Sequence, residues 1–349
     1  MKLLVLYEEL AGYFLACINA FAERHAADVI IVRKKVNAVA PFVFHESPRV
    51  KIVDRESFSE KELFDFAIGA APGAIFCAGW GCKPYMTISR HFHGKIPVVL
   101  GFDNWWDGSL KQLILAQGAR VSFRRRFSAC FVPGKPQELF AEKLGFPRDK
   151  IATGAYCCDY DFFHGIFEKH EAAKKAHFPK RFIYAGRYAK EKNVEMLWEV
   201  FAELKKEIPG EWELWCLGKG DIVPPEIEGV RHLGFVQTSG MEEVMSRAGV
   251  FILPSTFEPW GVVVHEYAAA GFPMILSDKV GAAEFFLEPG KNGWKFNSGN
   301  RDELKSAMRE AMRSPVLRLA EMGGESARLA SLHTPALWAD RLNALIAST

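Results

Sequence analysis

The most informative segment of the chain is residues 257–266, which read FEPWGVVVHE. It follows an apolar run, residues 249–253, that Pro254 brings to an end. The order is therefore a buried strand, a loop and the beginning of a helix. Pro259 has the fixed backbone angle that is favoured at a first helical position, which predicts a helix beginning close to it.

The same stretch contains groups that suit an anion. A helix that begins near Pro259 leaves the backbone N–H groups of residues 261–263 without partners inside the helix, and a phosphate fits such groups. Glu258 would then lie beside the anion, and Glu266 about two turns further along. Together the two carboxylates could hold hydroxyls on both sides of a diphosphate, as a nucleotide-sugar requires. The alternative is that two glutamates at this spacing occur by chance, one of them serving the helix dipole.

Length and composition exclude several classes of protein. The chain has 349 residues, which is enough for two domains with sizeable cores. It is 49% apolar and 25% charged, as ordinary soluble proteins are, and its net charge of +2 predicts no nucleic-acid partner. No apolar run reaches the roughly 18–20 residues that span a bilayer, and the first residues meet acids too early for a signal peptide. We therefore expect a cytoplasmic protein.

The cysteines predict neither disulfides nor zinc. There are seven of them, an odd number with no paired framework. Cys77 and Cys82 come nearest to a metal spacing, but a second such pair is missing from the sequence. Reduced thiols are the default for cysteines in the cytoplasm.

Short apolar runs alternate with helical patterns along the whole chain, and this alternation is typical of parallel sheets covered by helices on both faces. The pattern restarts after residue 179, so we predict an α/β protein of two doubly wound, Rossmann-like parallel-sheet domains that face a cleft. The strand candidates are residues 3–6, 28–32, 50–53, 74–77, 97–101 and 129–132 in the first half, and 180–186, 212–217, 231–235, 250–253 and 273–276 in the second.

A polar, lysine-rich segment, residues 163–179, separates the two halves and predicts a solvated connector, with or without a short helix. We place the domain boundary near residue 165, which gives domains of residues 1–165 and 166–330. Residues 331–349 follow as a tail with an apolar stripe at helical spacing, which predicts a C-terminal helix.

Two cations follow the first strand of the second half. Arg187 and Lys192 would lie at the same sheet edge as Glu258, where they could neutralise a diphosphate and hold the charge that grows on it as a leaving group. The alternative is a solvated basic loop, which is the commoner fate of such a pair. Asn193 is predicted to cap the helix that follows.

At this point the second half resembles the nucleotide-sugar-dependent glycosyltransferases of the GT-B fold, specifically the retaining family 4 type, or glycosyl transferases group 1. Each matching segment is weak alone, but together they are specific because they occur in the family's order over roughly residues 181–297. A further segment, residues 151–159, is similar to the family's segment before the domain crossover but lacks the usual asparagine-glycine. The matching segments are AGR at 185–187 with Lys192, LGKG at 217–220, LGFV at 233–236, the stretch at 257–266, and NGW at 292–294.

The resemblance implies a role for each matching residue. Arg187 and Lys192 would bind the diphosphate, and Glu266 would hold the ribose hydroxyls. Glu258 would lie by the transferred sugar, and the leaving phosphate would help to deprotonate the acceptor on the same face, so that configuration is retained. The backbone near Val236 would meet the base. The implied donor-binding set is Gly186, Arg187, Lys192, Gly218, Val236, Glu258, Pro259, Trp260, Gly261, Val262 and Glu266.

The first half departs from the family pattern. The loop after its first strand has one glycine, Gly12, where the family often has several. Many members have a histidine after the strand that corresponds to residues 97–101, and here Asp103 could take its place as a base or as an acceptor of a hydrogen bond. The alternative is a polar strand end that caps the next helix. We expect Gly12, Asp103, Asn104 and Trp105 to contact the acceptor, although Trp105 could simply pack.

Asp159 and Asp161 have the DxD spacing with which other glycosyltransferases hold a divalent metal. They fall in the crossover segment, far in sequence from Glu258, and are interpreted as a turn. We therefore expect no essential metal and no other cofactor.

Arg120, Arg124, Arg125 and Arg126 form the strongest basic cluster of the chain. They could contact anionic lipid headgroups, as an enzyme with a lipid-linked acceptor would require. They could equally form a solvated helix face. In the resembling fold, a tail such as residues 331–349 packs back on the first domain.

The sequence thus predicts a retaining glycosyltransferase that moves a hexose from a nucleotide-diphosphate sugar, with UDP favoured, to a hydroxyl of a glycan or lipid-linked acceptor. Surface polysaccharide or glycoconjugate synthesis would be its setting, in the cytoplasm or on the inner face of the membrane. Two alternatives remain: a nucleotide-sugar-binding protein without turnover, and a nucleotide-sugar 2-epimerase of the same fold.

Overall fold

The computed structural model describes residues 1–35, 43, 44 and 46–349. These divide into two compact units. The first consists of Met1–Cys157 and Thr334–Thr349, and the second of Cys158–His333. The chain therefore leaves the first unit once, at Cys157, and returns to it at Thr334.

The first unit is built on a parallel sheet. Its strands are β1 (Lys2–Leu6), β2 (Asp28–Arg33), β3 (Val50–Asp54), β4 (Ala74–Ala78), β5 (Val98–Gly101), β6 (Ala129–Val132) and β7 (Ile151–Thr153). Among the described residues they pair in the order β3-β2-β1-β4-β5-β6-β7, so the strand order reverses between β1 and β4. The helices are α1 (Gly12–Arg24), α2 (Glu60–Gly69), α3 (Lys83–Phe92), α4 (Leu110–Phe123), α5 (Lys135–Lys143) and, from the end of the chain, α13 (Pro335–Ala347).

The second unit repeats this plan. Its strands are β8 (Arg181–Ala185), β9 (Glu213–Leu217), β10 (Val230–Gly234), β11 (Val250–Leu253), β12 (Met274–Ser277) and β13 (Gly293–Phe296). They pair in the order β10-β9-β8-β11-β12-β13, all in parallel, with the reversal between β8 and β11. The helices are α6 (Tyr160–Ala176), α7 (Val194–Glu207), α8 (Met241–Ser246), α9 (Val262–Ala269), α10 (Ala283–Phe286), α11 (Arg301–Arg313) and α12 (Val316–Ala330).

The predicted connector, for which a short helix was one alternative, is a packed helix of 17 residues. α6 packs against α8, α9 and α12 and buries Phe163 and Ile166, so the lysines of this segment lie on an amphipathic helix. The first unit consequently ends at Cys157 and not near residue 165, because the whole of α6 belongs to the second unit. β7, a strand of three half-buried residues at the edge of the sheet, was not predicted.

The C-terminal helix belongs to the core of the first unit. α13 packs against α1, and its Trp338 is 1% exposed. The Trp338 indole donates a hydrogen bond to the carbonyl oxygen of Ala155 at 2.7 Å and meets the rings of Phe14 and Phe131 at centroid distances of 5.7 and 5.5 Å.

Two helix starts differ from the prediction. α9 begins at Val262, and Gly261 is its N-terminal cap, so Pro259 lies before the helix and not at its first position. Gly261 has a φ of +87°, and a Cβ there would come within 2.9 Å of the Glu258 side chain, which explains why glycine occupies this site. Asn193 precedes α7 in a left-handed conformation, but its side chain donates to the carbonyl oxygen of Pro254 at 3.3 Å and does not cap the helix. Within the described ranges, no helix is long and apolar enough to cross a bilayer.

Candidate functional site

The predicted donor-binding residues of the second unit collect at one edge of its sheet. Gly186 follows β8, Gly218 follows β9, and Glu258 lies in the loop after β11. This is the carboxyl edge around the point where the strand order reverses, which is where doubly wound sheets bind ligands. Gly218 has a φ of +125°, and a Cβ there would clash with the carbonyl oxygen of Gly186. The loops after β8 and β9 can therefore lie this close together only because residue 218 is a glycine.

A buried ion pair lies at this edge. The ammonium group of Lys192 contacts the carboxylate of Glu258, and the two side chains are only 14% and 11% exposed. Ser255 Oγ lies 3.4 Å from the same carboxylate. Lys192 and Glu258 were predicted to have separate roles, whereas the structure pairs them across 66 positions of sequence. An ammonium group has three donors, so Lys192 can pair with Glu258 and still donate to a phosphate oxygen.

Arg187 lies further out than Lys192. Its side chain is 69% exposed, and its guanidinium lies 3.6 Å from Glu191. The carbonyl oxygen of Arg187 accepts a hydrogen bond from the hydroxyl of Tyr184 at 2.7 Å, which fixes the backbone of the loop while the side chain reaches solvent. Arg187 is therefore a cation at the rim, able to turn towards an incoming anion.

The N-terminus of α9 offers backbone donors beside Glu258. The N–H groups of Gly261, Val262 and Val263 have no hydrogen-bond partner among the residues that the structure describes. These are the free donors of a helix start, and the helix dipole favours an anion there.

Trp260 and Val236 are placed differently from each other. The indole of Trp260 is 2% exposed and packs edge-on against Phe285 at 5.2 Å, so its ring belongs to the core and cannot line an open donor site. Its carbonyl oxygen accepts from the N–H of Ala282 at 2.8 Å, which anchors the loop before α9. Val236 is half-buried in the loop that follows β10, at the same sheet edge.

Glu266 lies in an environment that changes its chemistry. Burial, and then the nearby carboxylate of Asp159, raise the pKa of Glu266 to about 7. The two carboxylates are brought together because the N–H of the preceding Cys158 donates to Nδ1 of the preceding His265 at 3.1 Å. Asp159 and Glu266 therefore lie side by side. The proximity of Asp159 to Glu266 was missed, because the DxD segment is far from Glu266 in sequence.

His265 is the residue that holds this part of the site together. Its ring is fully buried, stacks on Phe286 at 4.2 Å and donates from Nε2 to the carbonyl oxygen of Ala330 at 3.2 Å. Burial lowers the pKa of His265 to about 3, so the ring is neutral and Nδ1 is free to accept the bond from Cys158. No sequence signal identified His265, whose role depends on contacts that are distant along the chain.

The first unit has a cavity of about 510 Å³ at its own reversal point, between the loops after β1 and β4. Asp103 and Asn104, two of the four residues that were predicted to contact the acceptor, line it. Gly12 and Trp105 are not among the described residues that line it: Gly12 begins α1, and the carbonyl oxygen of Trp105 accepts from Gln112 at 2.8 Å. The lining residues are Tyr7, Glu8, Glu9, Tyr13, Phe76, Ala78, Gly79, Trp80, Gly81, Gly101, Phe102, Asp103, Asn104, Ala155 and Tyr156.

Tyrosine hydroxyls form a network around Asp103. The phenol of Tyr156 donates to the carboxylate of Asp103, and the phenol of Tyr7 donates to that of Tyr13. Burial, with the neighbouring phenols and Asp103, raises the pKa of Tyr7 and of Tyr156 well above the usual value, so both hydroxyls stay protonated. These tyrosines lie on three separate segments, and no sequence pattern identified them.

Among the described residues, no group of three His, Cys, Asp or Glu side chains is arranged to hold a metal ion. Asp159 stands at the start of α6, where burial raises its pKa. The seven cysteines are all buried as free thiols.

The comparisons with known proteins agree with this arrangement. Residues 179–314 match the family model described as glycosyl transferases group 1. The chain is 27% identical over 146 residues (40% of this chain, 29% of the relative) to the GtfA subunit of the UDP-N-acetylglucosamine–peptide N-acetylglucosaminyltransferase of Streptococcus pneumoniae serotype 4. It is 23% identical over 216 residues (57% of this chain, 54% of the relative) to the alpha-D-kanosaminyltransferase of Streptomyces kanamyceticus. The chain spans about a third to about half of the length of such curated relatives.

Solved structures match along the whole chain. Anabaena Alr3699/HepE in complex with UDP and glucose superposes with a TM-score of 0.73 at 15% identity, covering 100% of both chains. Sucrose-phosphate synthase from Thermosynechococcus elongatus superposes with a TM-score of 0.75 at 15% identity, covering 100% of this chain and 99% of that one. At such identity the likeness shows the fold alone, and the predicted α/β architecture of two Rossmann-like, GT-B-type units is confirmed.

Proposed function

We propose that the chain is a glycosyltransferase that binds a nucleotide-diphosphate sugar on its second unit and transfers the sugar to a hydroxyl held by the first. The observation that carries this proposal is the buried Lys192–Glu258 pair beside the free amides of α9. The pair and the amides lie inside the region that matches the glycosyl transferases group 1 model. A cation, a carboxylate and a helix start in one place suit a diphosphate joined to a polyol.

In this proposal each group has one task. Lys192 and the rim cation Arg187 take the charge that develops on the diphosphate as the glycosidic bond breaks. The amides of Gly261 and Val262 bind the distal phosphate, and Glu258 holds hydroxyls of the sugar. Glu266 binds the ribose hydroxyls, in a position where its ionisation falls near neutral pH.

We further propose that the reaction transfers a hexose from a UDP-sugar with retention of configuration. The HepE structures support the donor, because they hold UDP, UDP with glucose, or UDP-glucose on the same fold. We propose that the α9 amides and the Lys192 ammonium supply the positive field without an essential metal or other cofactor. The anomeric configuration is then retained if the leaving phosphate takes the proton of the acceptor hydroxyl on the same face of the sugar from which the phosphate departs.

We propose that the acceptor is a glycan or a lipid-linked sugar in the synthesis of surface polysaccharide or glycoconjugate. Its hydroxyl would be bound in the cavity of the first unit, where the Asp103 carboxylate can accept a hydrogen bond from it. Asn104 lies at the same cavity and can orient the sugar.

An exposed apolar helix face supports the lipid-linked form of acceptor. On α4, Leu110, Ile114 and Val121 are 77%, 71% and 59% exposed and lie on one side of the helix. The opposite side carries the buried residues Ala116 and Phe123. A helix that points large apolar side chains outwards is typical of an interaction surface.

The basic cluster lies at the end of this helix. Arg120, Arg124 and Arg125 are exposed, whereas Arg126 is half-buried and donates to the carbonyl oxygen of Ser122 at 2.8 Å. Exposed arginines beside an apolar helix face complement an anionic bilayer. We therefore propose peripheral binding to the inner face of the membrane, through three of the four predicted arginines and the outer face of α4.

Vesicle sedimentation tests this surface. The protein should bind phosphatidylglycerol vesicles but not phosphatidylcholine vesicles, and salt should release it. Ile114→Glu should abolish binding, whereas Leu317→Glu, at a residue that is 63% exposed on α12 of the second unit, should not. Equal binding of Ile114→Glu and the unmodified protein would exclude the surface.

The donor proposal is tested by thermal shift with UDP-, GDP- and ADP-sugars, with and without EDTA, followed by an assay of sugar release and transfer. A shift with UDP-sugars that survives EDTA, together with turnover, is the expected result. Binding without release or transfer across many acceptors would identify a nucleotide-sugar-binding protein. Formation of a 2-epimeric sugar would identify an epimerase, and no shift at all would reject the donor site.

A further inference from the structure

The cavity of the first unit has the size and the walls of a sugar site. Its volume of about 510 Å³ falls in the range of about 300–1,000 Å³ in which small-molecule sites are found. Aromatic side chains form a large part of its wall, and the rings of Tyr13 and Tyr156 meet edge to face at a centroid distance of 5.6 Å. Such rings present flat faces and hydroxyl groups to a ligand, which suits the mixed apolar and polar surface of a pyranose.

The charged residues of the cavity all have one sign. Glu8, Glu9 and Asp103 line it, whereas no lysine, arginine or histidine does so among the described residues. Glu8 is paired with Lys34 at 2.7 Å, so its charge is partly balanced. Glu9 is exposed at the cavity, and Asp103 is half-buried with the Tyr156 hydroxyl donating to it. An anion placed here would meet carboxylates without a counter-ion among the lining side chains.

The polar groups of the cavity are suited to hydroxyls. Carboxylate oxygens only accept hydrogen bonds, and the phenols of Tyr13 and Tyr156 can both donate and accept. Sugar hydroxyls can meet both kinds of partner, and an ammonium group can donate to the carboxylates. Phosphate and carboxylate groups can accept from the phenols, but their negative charge is repelled by the cavity's carboxylates.

We infer that this cavity receives an uncharged or amino-substituted glycosyl residue and rejects one that carries a phosphate or a carboxylate. This inference rests on the proposed function only in naming the bound glycosyl residue as the acceptor. It makes the charge around the acceptor hydroxyl a determinant of specificity, with Asp103 and Glu9 as the residues that enforce it. A phosphate that links the acceptor to a lipid would remain outside the cavity.

The test measures acceptor binding directly, without transfer. The full chain is titrated, with saturation-transfer NMR as readout, with methyl hexosides of gluco, galacto and manno configuration. Each is offered as the neutral sugar, the 2-amino sugar, the 6-phosphate and the 6-carboxylate. In at least one configuration the neutral and amino forms should bind, and the anionic forms should bind at least about 10-fold more weakly.

Variants identify the source of the discrimination. Glu9→Gln and Asp103→Asn should each reduce the ratio of the affinities for the neutral sugar and the 6-phosphate several-fold. The double variant should reduce this ratio further. Asp65→Asn is the matched control, because Asp65 is an exposed carboxylate on α2 that does not line the cavity. Glu9 is exposed, so Glu9→Gln remains informative even if Asp103→Asn impairs folding.

The inference is overturned if no hexoside binds, if phosphorylated or carboxylated sugars bind as well as neutral ones, or if Glu9→Gln leaves the preference unchanged. The UDP thermal shift is recorded on the same protein. If UDP raises the melting temperature but the cavity binds neutral and anionic sugars equally, the inference is rejected and the proposed function stands. If the cavity binds neutral sugars selectively but no nucleotide raises the melting temperature, the proposed function is rejected instead.

Discussion

The two units place different charged groups at equivalent positions of the same topology. In each, the crevice lies at the carboxyl ends of the strands where the strand order reverses, between β1 and β4 in the first unit and between β8 and β11 in the second. At the second unit's crevice are the cations Lys192 and Arg187 and the free amides of α9, together with the carboxylates of Glu258 and Glu266. At the first unit's crevice are carboxylates and protonated tyrosines. The doubly wound frame decides where a ligand binds, and the loops decide its charge.

The difference between the two crevices arises from the loops that follow individual strands. After β8 the chain continues into a loop with two cations, and the loop after β11 ends at Gly261, whose left-handed conformation turns the amides of α9 outwards. After β1 the chain continues into Tyr7, Glu8 and Glu9, and α1 then begins at Gly12. Four substitutions test how far the two units differ.

Trp338→Ala should weaken the first unit alone. It removes a buried indole and its bond to Ala155, and we expect a loss of about 3–5 kcal/mol in the free energy of unfolding of that unit. Hydrogen exchange measured unit by unit should show faster exchange in β1–β7 with unchanged stabilisation of the second unit by UDP. Leu337→Ala, at a 40% exposed neighbour on the same helix, is the control. Equal loosening of both units would show that they do not unfold separately.

Glu258→Gln should remove catalysis while the donor crevice stays folded. The amide keeps the shape of the side chain but not the charge that pairs with Lys192, so we expect transfer to fall by about 100- to 1,000-fold. Initial rates at saturating donor measure this, with Glu226→Gln, at an exposed residue of the second unit, as control. A near-normal rate would remove Glu258 from the site.

Lys174→Met should stabilise the second unit without touching its crevice. Lys174 is buried on α6, 3.8 Å from the ring centre of Phe272, and its ammonium has no hydrogen-bond partner among the described residues. Burial lowers its pKa from 10.5 to about 7. The unfolded chain therefore binds the proton more tightly, and the native protein loses stability as the pH falls from 10.5 to about 7.

The gain from Lys174→Met should consequently be about 2–4 kcal/mol at pH 7 and below and should vanish above about pH 10.5. Melting curves across this pH range measure it, and Lys175→Met, at an exposed neighbour, is the control. UDP affinity should not change. A lower melting temperature for Lys174→Met at pH 7 would show that the buried ammonium is satisfied in solution.

Glu266→Gln should give the smallest change. Loss of a charge-assisted bond to the ribose should weaken UDP binding by about 10-fold at pH 8, which is about 1.4 kcal/mol. Because the pKa of Glu266 is raised to about 7, the unmodified protein should bind UDP more tightly as the pH rises through 7. Calorimetry of both proteins at several pH values separates this from the titration of UDP itself. An identical pH dependence in the variant would reject the ribose assignment.

The strands were the most predictable part of the fold. Buried parallel strands are continuous apolar runs, so the bounds of β6 and β11 agree with those expected from the sequence. β7 was missed because three half-buried residues carry too little pattern, and α6 was taken for a connector because its lysines obscure its apolar face. Pro259 predicted the start of α9 too early, since Gly261 ends the loop.

The candidate site was predictable residue by residue but not contact by contact. Local motifs brought Lys192 and Glu258 to one sheet edge, yet their ion pair depends on side-chain packing that spacing does not encode. The approach of Asp159 to Glu266 depends on the buried ring of His265, and the tyrosines around Asp103 come from separate segments. Trp260 was expected at the donor and lies in the core, because a sequence motif does not say which way a ring points.

The return of α13 to the first unit determines the order in which the molecule can be completed during synthesis. Residues 158–333 form an uninterrupted unit, whereas the core of the first unit lacks Trp338 until the last residues of that unit have left the ribosome. The unit that is begun first is therefore finished last. Until then, the groove that α13 will fill beside Phe14 and Phe131 exposes apolar surface, which a chaperone can bind.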